Sequence, residues 1–254
     1  MEVETWKRAG ESLNEEIRRW RDGRFPNAFS FPPVLVMLTA AAYVSLAPSL
    51  KSSWVLSCAA AIGAAYLAGR AAVVRRRLRE LDERRESKRV VARCFDGLRD
   101  RGTRIFHDVS GDGCHLDHVI ISRRGVFVVA TLAVPKPWPK AKVYVDGRRL
   151  MVAGRTPERD PRVGVAAAAR WVESFLREST GKRFKARAIV AYPGWYVQQA
   201  DPRGSVWVID PKALPALLDH ETTTVAAADV ALAAWHLSRY VRTEPARTEL
   251  ARAA

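Results

Sequence analysis

The stretch Leu116–Leu132, LDHVIISRRGVFVVATL, decides the reading of this chain. β-Branched and aromatic residues crowd both sides of a turn at Arg123–Gly125, so the stretch reads as two strands of a hairpin. One carboxylate, Asp117, stands in the otherwise apolar first strand, which spans His115–Ser122. The second strand, Val126–Val134, is almost continuously apolar, as expected of a strand covered on both faces.

Working outward, Thr103–Val109 (TRIFHDV) carries a strand pattern and Ser110–Gly113 (SGDG) a turn. On the other side, Pro135–Lys142 (PKPWPKAK) reads as a loop, because proline has no N–H to give a ladder. Lys142–Val152 reads as a small hairpin turning at Asp146-Gly147. A helix is expected over Val163–Glu178, a buried strand over Ala186–Tyr192 and a short strand over Ser205–Asp210. Helices over Lys212–Asp219 and Thr224–Val241 close the pattern, and residues 242–254 read as a polar tail. A highly charged helix precedes these strands, with Val90, Val91, Cys94, Phe95 and Leu98 as its apolar stripe. This order predicts an α/β domain over residues 87–241, built on a mixed sheet flanked by helices.

The chain has 254 residues and a formal net charge of +15. Residues 1–24 carry six basic and six acidic side chains, whereas residues 70–101 carry twelve basic against six acidic. The run Arg75, Arg76, Arg77 and Arg79 suits nucleic acid or anionic headgroups, although a solvated helix face is the simpler reading of any single arginine. Cys58, Cys94 and Cys114 have neither metal-ligand spacing nor an obvious pairing, which fits free thiols in a reducing compartment. SGDG is too short for a phosphate loop and has no lysine partner.

Residues 25–50 hold no charge, and after Lys51 neither do Ser52–Gly69. Each run reaches the roughly 18 residues needed to cross a bilayer core. We therefore expect a transmembrane hairpin over residues 28–69, with helices near 32–50 and 52–69. Arg18, Arg19, Arg21 and Arg24 lie before it and Arg70 and Arg75–Arg77 after it, which places both ends in the cytoplasm. The expectation is a multi-pass protein of the cell membrane with both termini and the α/β domain cytoplasmic. Residues 70–86 then form a basic juxtamembrane helix. Residues 1–24 form an amphipathic segment in which Trp6, Leu13, Ile17 and Trp20 recur at helical spacing.

The hairpin resembles the core of the nuclease-related domain (NERD) family, within the restriction-endonuclease-like PD-(D/E)XK superfamily. The similarity runs from about residue 87 to 218 and rests on His107-Asp108-Val109, LDHVIISRRGVFVV, Asp160-Pro161 and Pro193-Gly194-Trp195. It implies a restriction-endonuclease-like fold. It also implies a metal-dependent nuclease site with a Gly-Glu pair on the first helix, an Asp, a Glu-x-Lys pair and a Gln. Asp117 matches the Asp. Ala130 and Leu132 stand where Glu and Lys are implied, Ser87-Lys88 where Gly-Glu is implied, and Gly164 near the Gln. Mg²⁺ needs carboxylate oxygens and a lysine near the scissile phosphate neutralises charge, so these replacements point to a degenerate member.

The expected function is accordingly a membrane-anchored protein with a non-catalytic nucleic-acid-binding or scaffolding role and no small-molecule cofactor. DNA or RNA would meet Lys136, Trp138, Lys140 and Lys142, and the run Lys182, Arg183, Lys185 and Arg187, through sequence-independent phosphate contacts. Trp138 is placed to stack on a base or to pack on its neighbouring prolines. Two alternatives stand beside this reading. One is an active Mg²⁺-dependent nuclease whose metal is held weakly by Asp117 with relocated carboxylates from Asp108, Asp112 or Glu86. The other is a structural subunit bound to a protein partner in a membrane complex. A zinc cluster of His115, Asp117 and His118 is disfavoured, because 115 and 117 share one strand face and 118 the other.

Overall fold

The computed structural model describes residues 53–99, 102–147, 149–199 and 204–253. The expected N-terminal amphipathic segment and the first apolar run lie outside these residues. The chain divides into two compact units within its first described helix, between Glu83 and Arg84. That helix, α1, spans Ser53–Arg99 and takes in both the expected second span and the juxtamembrane segment. Among the described residues no helix is long and apolar enough to cross a membrane.

The unit from Arg84 onward is an α/β domain. It contains β1 (Arg104–Gly111), β2 (Cys114–Ser122), β3 (Gly125–Thr131), β4 (Lys142–Asp146) and β5 (Arg149–Val152). These are followed by α2 (Pro161–Thr180), β6 (Ala186–Ala191), β7 (Tyr196–Gln199), β8 (Val206–Ile209), a 3-10 turn at Pro211–Ala213, α3 (Leu214–His220) and α4 (Ala227–Ala253). The main sheet has the order β1-β2-β3-β6-β8 and a second sheet the order β5-β4-β7. β1, β2 and β3 pair antiparallel, whereas β3, β6 and β8 run parallel, so the sheet is mixed.

Local chemistry explains the hairpins and helices. Asp112-Gly113 makes the two-residue turn between the paired Gly111 and Cys114, with Gly113 at φ 70°, a left-handed conformation that glycine adopts without strain. The β2–β3 turn is tied by Ser122, whose Oγ donates to the Gly125 carbonyl and accepts from the Arg124 N–H. α2 starts at Asp160, which accepts from the Arg162 N–H ahead of a proline, and stops at the left-handed Gly181.

Two apolar layers sandwich the sheet. On one side Val91, Phe95 and Leu98 of α1 pack with Ile120, Phe127, Val129, Ile189 and Trp207. On the other, Val165, Ala169, Val172 and Leu176 of α2 and Val230, Leu237 and Val241 of α4 join Val119, Ile121 and Val128, and the same core takes in Val143, Val145 and Leu150 of the small sheet.

The structure departs from the sequence expectations at several element boundaries. β3 ends at Thr131 rather than Val134, since the approaching prolines cannot extend the ladder, although the Leu132 N–H still reaches the Ala191 carbonyl. β7, a stretch for which no element was expected from the sequence, pairs parallel with β4. α4 runs to Ala253 through the expected polar tail. That segment is rich in Ala, Arg, Glu and Leu, and polarity with good helix propensity still makes helix.

Candidate functional site

The register of β1 and β2 pairs His107 with His118 and Val109 with Leu116, so Asp108 and Asp117 face each other between two ladder pairs. Phe106, Val109, Leu116 and Val119 all join one core. The in–out alternation therefore slips between them in both strands, and the slip is centred on the two aspartates. Asp108 takes φ 50°, a left-handed conformation that Asp tolerates better than most residues.

Like charges directly across a strand pair repel, and both carboxylates are sheltered. Asp108 is 1 % exposed and Asp117 13 %. The cation that reconciles them comes from α1. Lys88 Nζ lies 3.0 Å from Asp108 Oδ1 and 2.6 Å from Asp117 Oδ1, with its own side chain 10 % exposed. Lys88 continues the buried stripe of α1 at residues 88, 91, 95 and 98, so the helix that builds the core also aims the ammonium. His115 Nε2 lies 3.3 Å from Asp108 Oδ1. Asp117 Oδ2 accepts the Thr131 N–H at 2.6 Å, which ties the cluster to the end of β3.

Charge follows geometry. Burial opposes ionisation of Asp108, but the hydrogen bond from His115 and the charge of Lys88 outweigh it and hold the carboxyl far below the usual range. Burial likewise opposes the Lys88 charge, but Asp117 and then Asp108 hold its ammonium above the ordinary lysine value. Behind the cluster His118 is fully buried. Its Nδ1 lies 2.7 Å from His107 Nδ1, its ring sits edge-on to Phe95, and its Nε2 has no partner. Burial, then the neighbouring His107, keep it neutral well below its ordinary value.

The sequence-derived positions fall as follows. One step beyond the His118–Val129 pair, the β2–β3 register sets Ala130 across from Asp117. Ala130 and Leu132 are half-buried and pack against the core rather than joining the cluster. Gly164 is exposed in the first turn of α2. Of the three relocated carboxylates considered, Asp108 joins Asp117. Asp112 is exposed in its turn, and Glu86 is exposed and pairs with Arg93 at 2.8 Å. Lys88 is the residue that sequence reasoning missed as a participant. Its signal was a lysine in phase with the apolar stripe Val91, Phe95 and Leu98.

Asp108, His115 and Asp117 place ligand atoms within 4.8 Å of one another. Mg²⁺ takes oxygen ligands at about 2.0–2.1 Å in octahedral geometry. Here one oxygen of each carboxylate is already bonded by the ammonium, and no third carboxylate stands at 130. The residues present do not fit a divalent ion alongside Lys88.

The two basic groups lie at opposite ends of the main sheet. Lys136, Trp138 and Lys140 sit in the loop that leaves the C-terminal end of β3, beside Thr131. All three are exposed, Trp138 to 52 %. Lys136 Nζ lies over the Trp195 ring at 5.6 Å, and Trp195 Nε1 donates to the Val134 carbonyl at 3.0 Å. Lys142 pairs in register with Tyr196, which is 68 % exposed, and donates to Gln198 Oε1 at 2.8 Å. The second group leads into β6, whose start pairs with Val126 at the other end of β3, roughly 17 Å along the strand. There Lys182 is paired with Asp229, Arg187 stacks on Trp207 at 4.7 Å, and Arg183 and Lys185 are exposed.

Residues 83–193 match the family model for the nuclease-related domain, NERD. No curated protein and no solved structure matches the chain.

Proposed function

We propose, from the nuclease-related domain over residues 83–193, that this chain is a membrane-anchored, non-catalytic nuclease-like protein that binds nucleic acid. The observation that carries the non-catalytic reading is the Lys88 ammonium between Asp108 and Asp117. A nuclease centre needs that space for a metal and its activated water. Ala130 and Leu132, committed to the core, supply neither a second carboxylate nor a lysine.

Binding is supported by the end of the sheet beside the cluster. Lys136, Lys140 and Lys142 give the charge, and the exposed rings of Trp138 and Tyr196 give stacking surfaces. Tyr196 extends the set expected from sequence. Lys182, Arg183, Lys185 and Arg187 contribute only a separate footprint at the far end. Anchoring is supported by the uncharged runs with basic flanks and by Ile62 and Tyr66, exposed to 71 % and 58 % on α1. The domain and both termini are then cytoplasmic.

The test uses the full chain in detergent, with labelled single- and double-stranded DNA and RNA, in Mg²⁺, Mn²⁺ or EDTA, across a salt series. We expect salt-sensitive binding without cleavage. Replacing Lys136, Lys140 and Lys142 by Ala should flatten the logarithmic salt slope by about 2–3. Absence of binding at low salt, or an unchanged slope, refutes the interface. Metal-dependent cleavage that Asp117→Asn abolishes would establish the alternative, an active site with relocated carboxylates. The approach of Asp108 to Asp117 is the one observation in that alternative's favour.

A further inference from the structure

We infer that Lys88 is a built-in replacement for a metal ion, and that Asp108, His115 and Asp117 form a latent divalent-cation site that this ammonium fills. The inference deepens the non-catalytic reading above and rests on it. Three ligand atoms converge within 4.8 Å, and the cation they converge on is covalently part of α1. Lys88 Nζ contacts one oxygen of each aspartate, at 3.0 and 2.6 Å, as a metal bridging the two strands would.

The surroundings fit a cation site more closely than an incidental ion pair. Two carboxylates face each other across neighbouring strands, at the place where both strands lose their alternation. The remaining Asp117 oxygen is fixed by the Thr131 N–H. Asp108 holds a left-handed backbone to present its carboxylate. A surface ion pair would need none of this. A lone pair of aspartates without a cation would be unstable here, because removing one partner of a buried pair leaves an uncompensated charge.

Two carboxylates and an imidazole form a mixed oxygen and nitrogen set, which favours Mn²⁺ or Zn²⁺ over Mg²⁺. His115 is 41 % exposed, so an ion would enter from the solvent side without opening the core.

The test compares the full-length wild type with Lys88→Ala, Lys88→Arg and the double variant Lys88→Ala/Asp108→Asn. Each is measured in EDTA and in Mn²⁺ by thermal unfolding and by the Mn²⁺ paramagnetic resonance signal. Mn²⁺ should leave the wild type and Lys88→Arg unchanged. Lys88→Ala should melt roughly 5–10 °C lower in EDTA and regain most of that loss in Mn²⁺, with one ion bound about tenfold or more tighter than to the wild type. The double variant should lose the response. If Lys88→Ala does not fold in EDTA, purification in Mn²⁺ and the milder Lys88→Gln supply the same comparison.

The inference is overturned if Mn²⁺ binds the wild type at this cluster as tightly as Lys88→Ala, or if no Lys88 variant gains an ion. The readout is metal binding and not cleavage. A wild type that cut nucleic acid with residues elsewhere would overturn the non-catalytic reading and leave the assignment of Lys88 standing.

Discussion

Replacing Asp108 by Asn is the sharpest probe of the buried cluster. Asn tolerates the left-handed backbone at φ 50° as Asp does, so the change removes charge without backbone strain. Losing one partner of a buried ion pair costs about 3–5 kcal/mol when the survivor is stranded. Here Lys88 keeps Asp117 at 2.6 Å, and the Asn carbonyl still accepts a hydrogen bond. The expected cost is therefore about 2–3 kcal/mol. Asp108→Ala should cost about 1 kcal/mol more, because Ala disfavours that backbone. Urea unfolding of the full chain, followed by tryptophan fluorescence, reads both differences.

The pH dependence supplies an independent check on the same substitution. The Asp108 carboxyl is depressed in the folded state, so the folded chain binds fewer protons there than the unfolded chain. Its stabilisation is fully present above the ordinary carboxylate range and is lost as pH falls below it. The gap between wild type and Asp108→Asn should thus be widest near neutrality and narrow below about pH 4. A gap under about 0.5 kcal/mol at neutral pH, within the scatter of surface substitutions, would refute the argument that this charge holds the two strands and α1 together. So would a gap that widens with acid.

Two further substitutions test the surroundings. Tyr192 is buried, and burial first, then the nearby Asp160, push its hydroxyl up to about 12. The wild type should lose about 2 kcal/mol as pH rises from about 10 through that value, whereas Tyr192→Phe should show a visibly shallower decline, read as alkaline unfolding by circular dichroism; identical slopes would count against it. At Gly111 an added Cβ would meet Trp171 at 2.8 Å and Cys114 Sγ at 2.9 Å. Trp171 is stacked on Phe175 and packed on Tyr240 and has little room to yield. Gly111→Ala should therefore cost about 1–3 kcal/mol in urea unfolding, and a neutral result would show that the aromatic stack moves freely.

Much of the domain was legible because its signals are local. The β2–β3 hairpin is written in runs of β-branched and aromatic residues around a short turn, and α2 in its Asp-Pro start and Gly stop. Those signals placed Asp117 on a strand and Ala130 in the strand beside it, whereas Leu132 falls one residue past that strand's end. β7 was not legible. YVQQ has four residues and earns its place only by pairing parallel with β4 across more than fifty residues of chain. Asp108 was weighed only as a relocated carboxylate, because its position opposite Asp117 depends on strand register and on a left-handed residue that no periodicity announces. Lys88 was passed over for a different reason. It was read as the absence of a glutamate, when its phase with Val91, Phe95 and Leu98 marked it as a charge pointing inward.

That last point bears on the non-catalytic reading proposed for this site. The family resemblance implies an acid on the helix and a lysine on β3. This chain has a lysine on the helix, at 88, and a leucine just past the end of β3, at 132. On the proposed reading the cation stands on the helix, where it bonds both aspartates. The replacements at 88, 130 and 132 are then coupled rather than independent losses. With Lys88 bonded to Asp108 and Asp117, a second lysine at 132 would add repulsion, and a glutamate at 130 would meet an ammonium already shared by two carboxylates. Ala130→Glu with Leu132→Lys alone should therefore yield a less stable, inactive chain. On the proposed reading a metal at these aspartates would first require the loss of Lys88, because its ammonium already bonds an oxygen of each carboxylate.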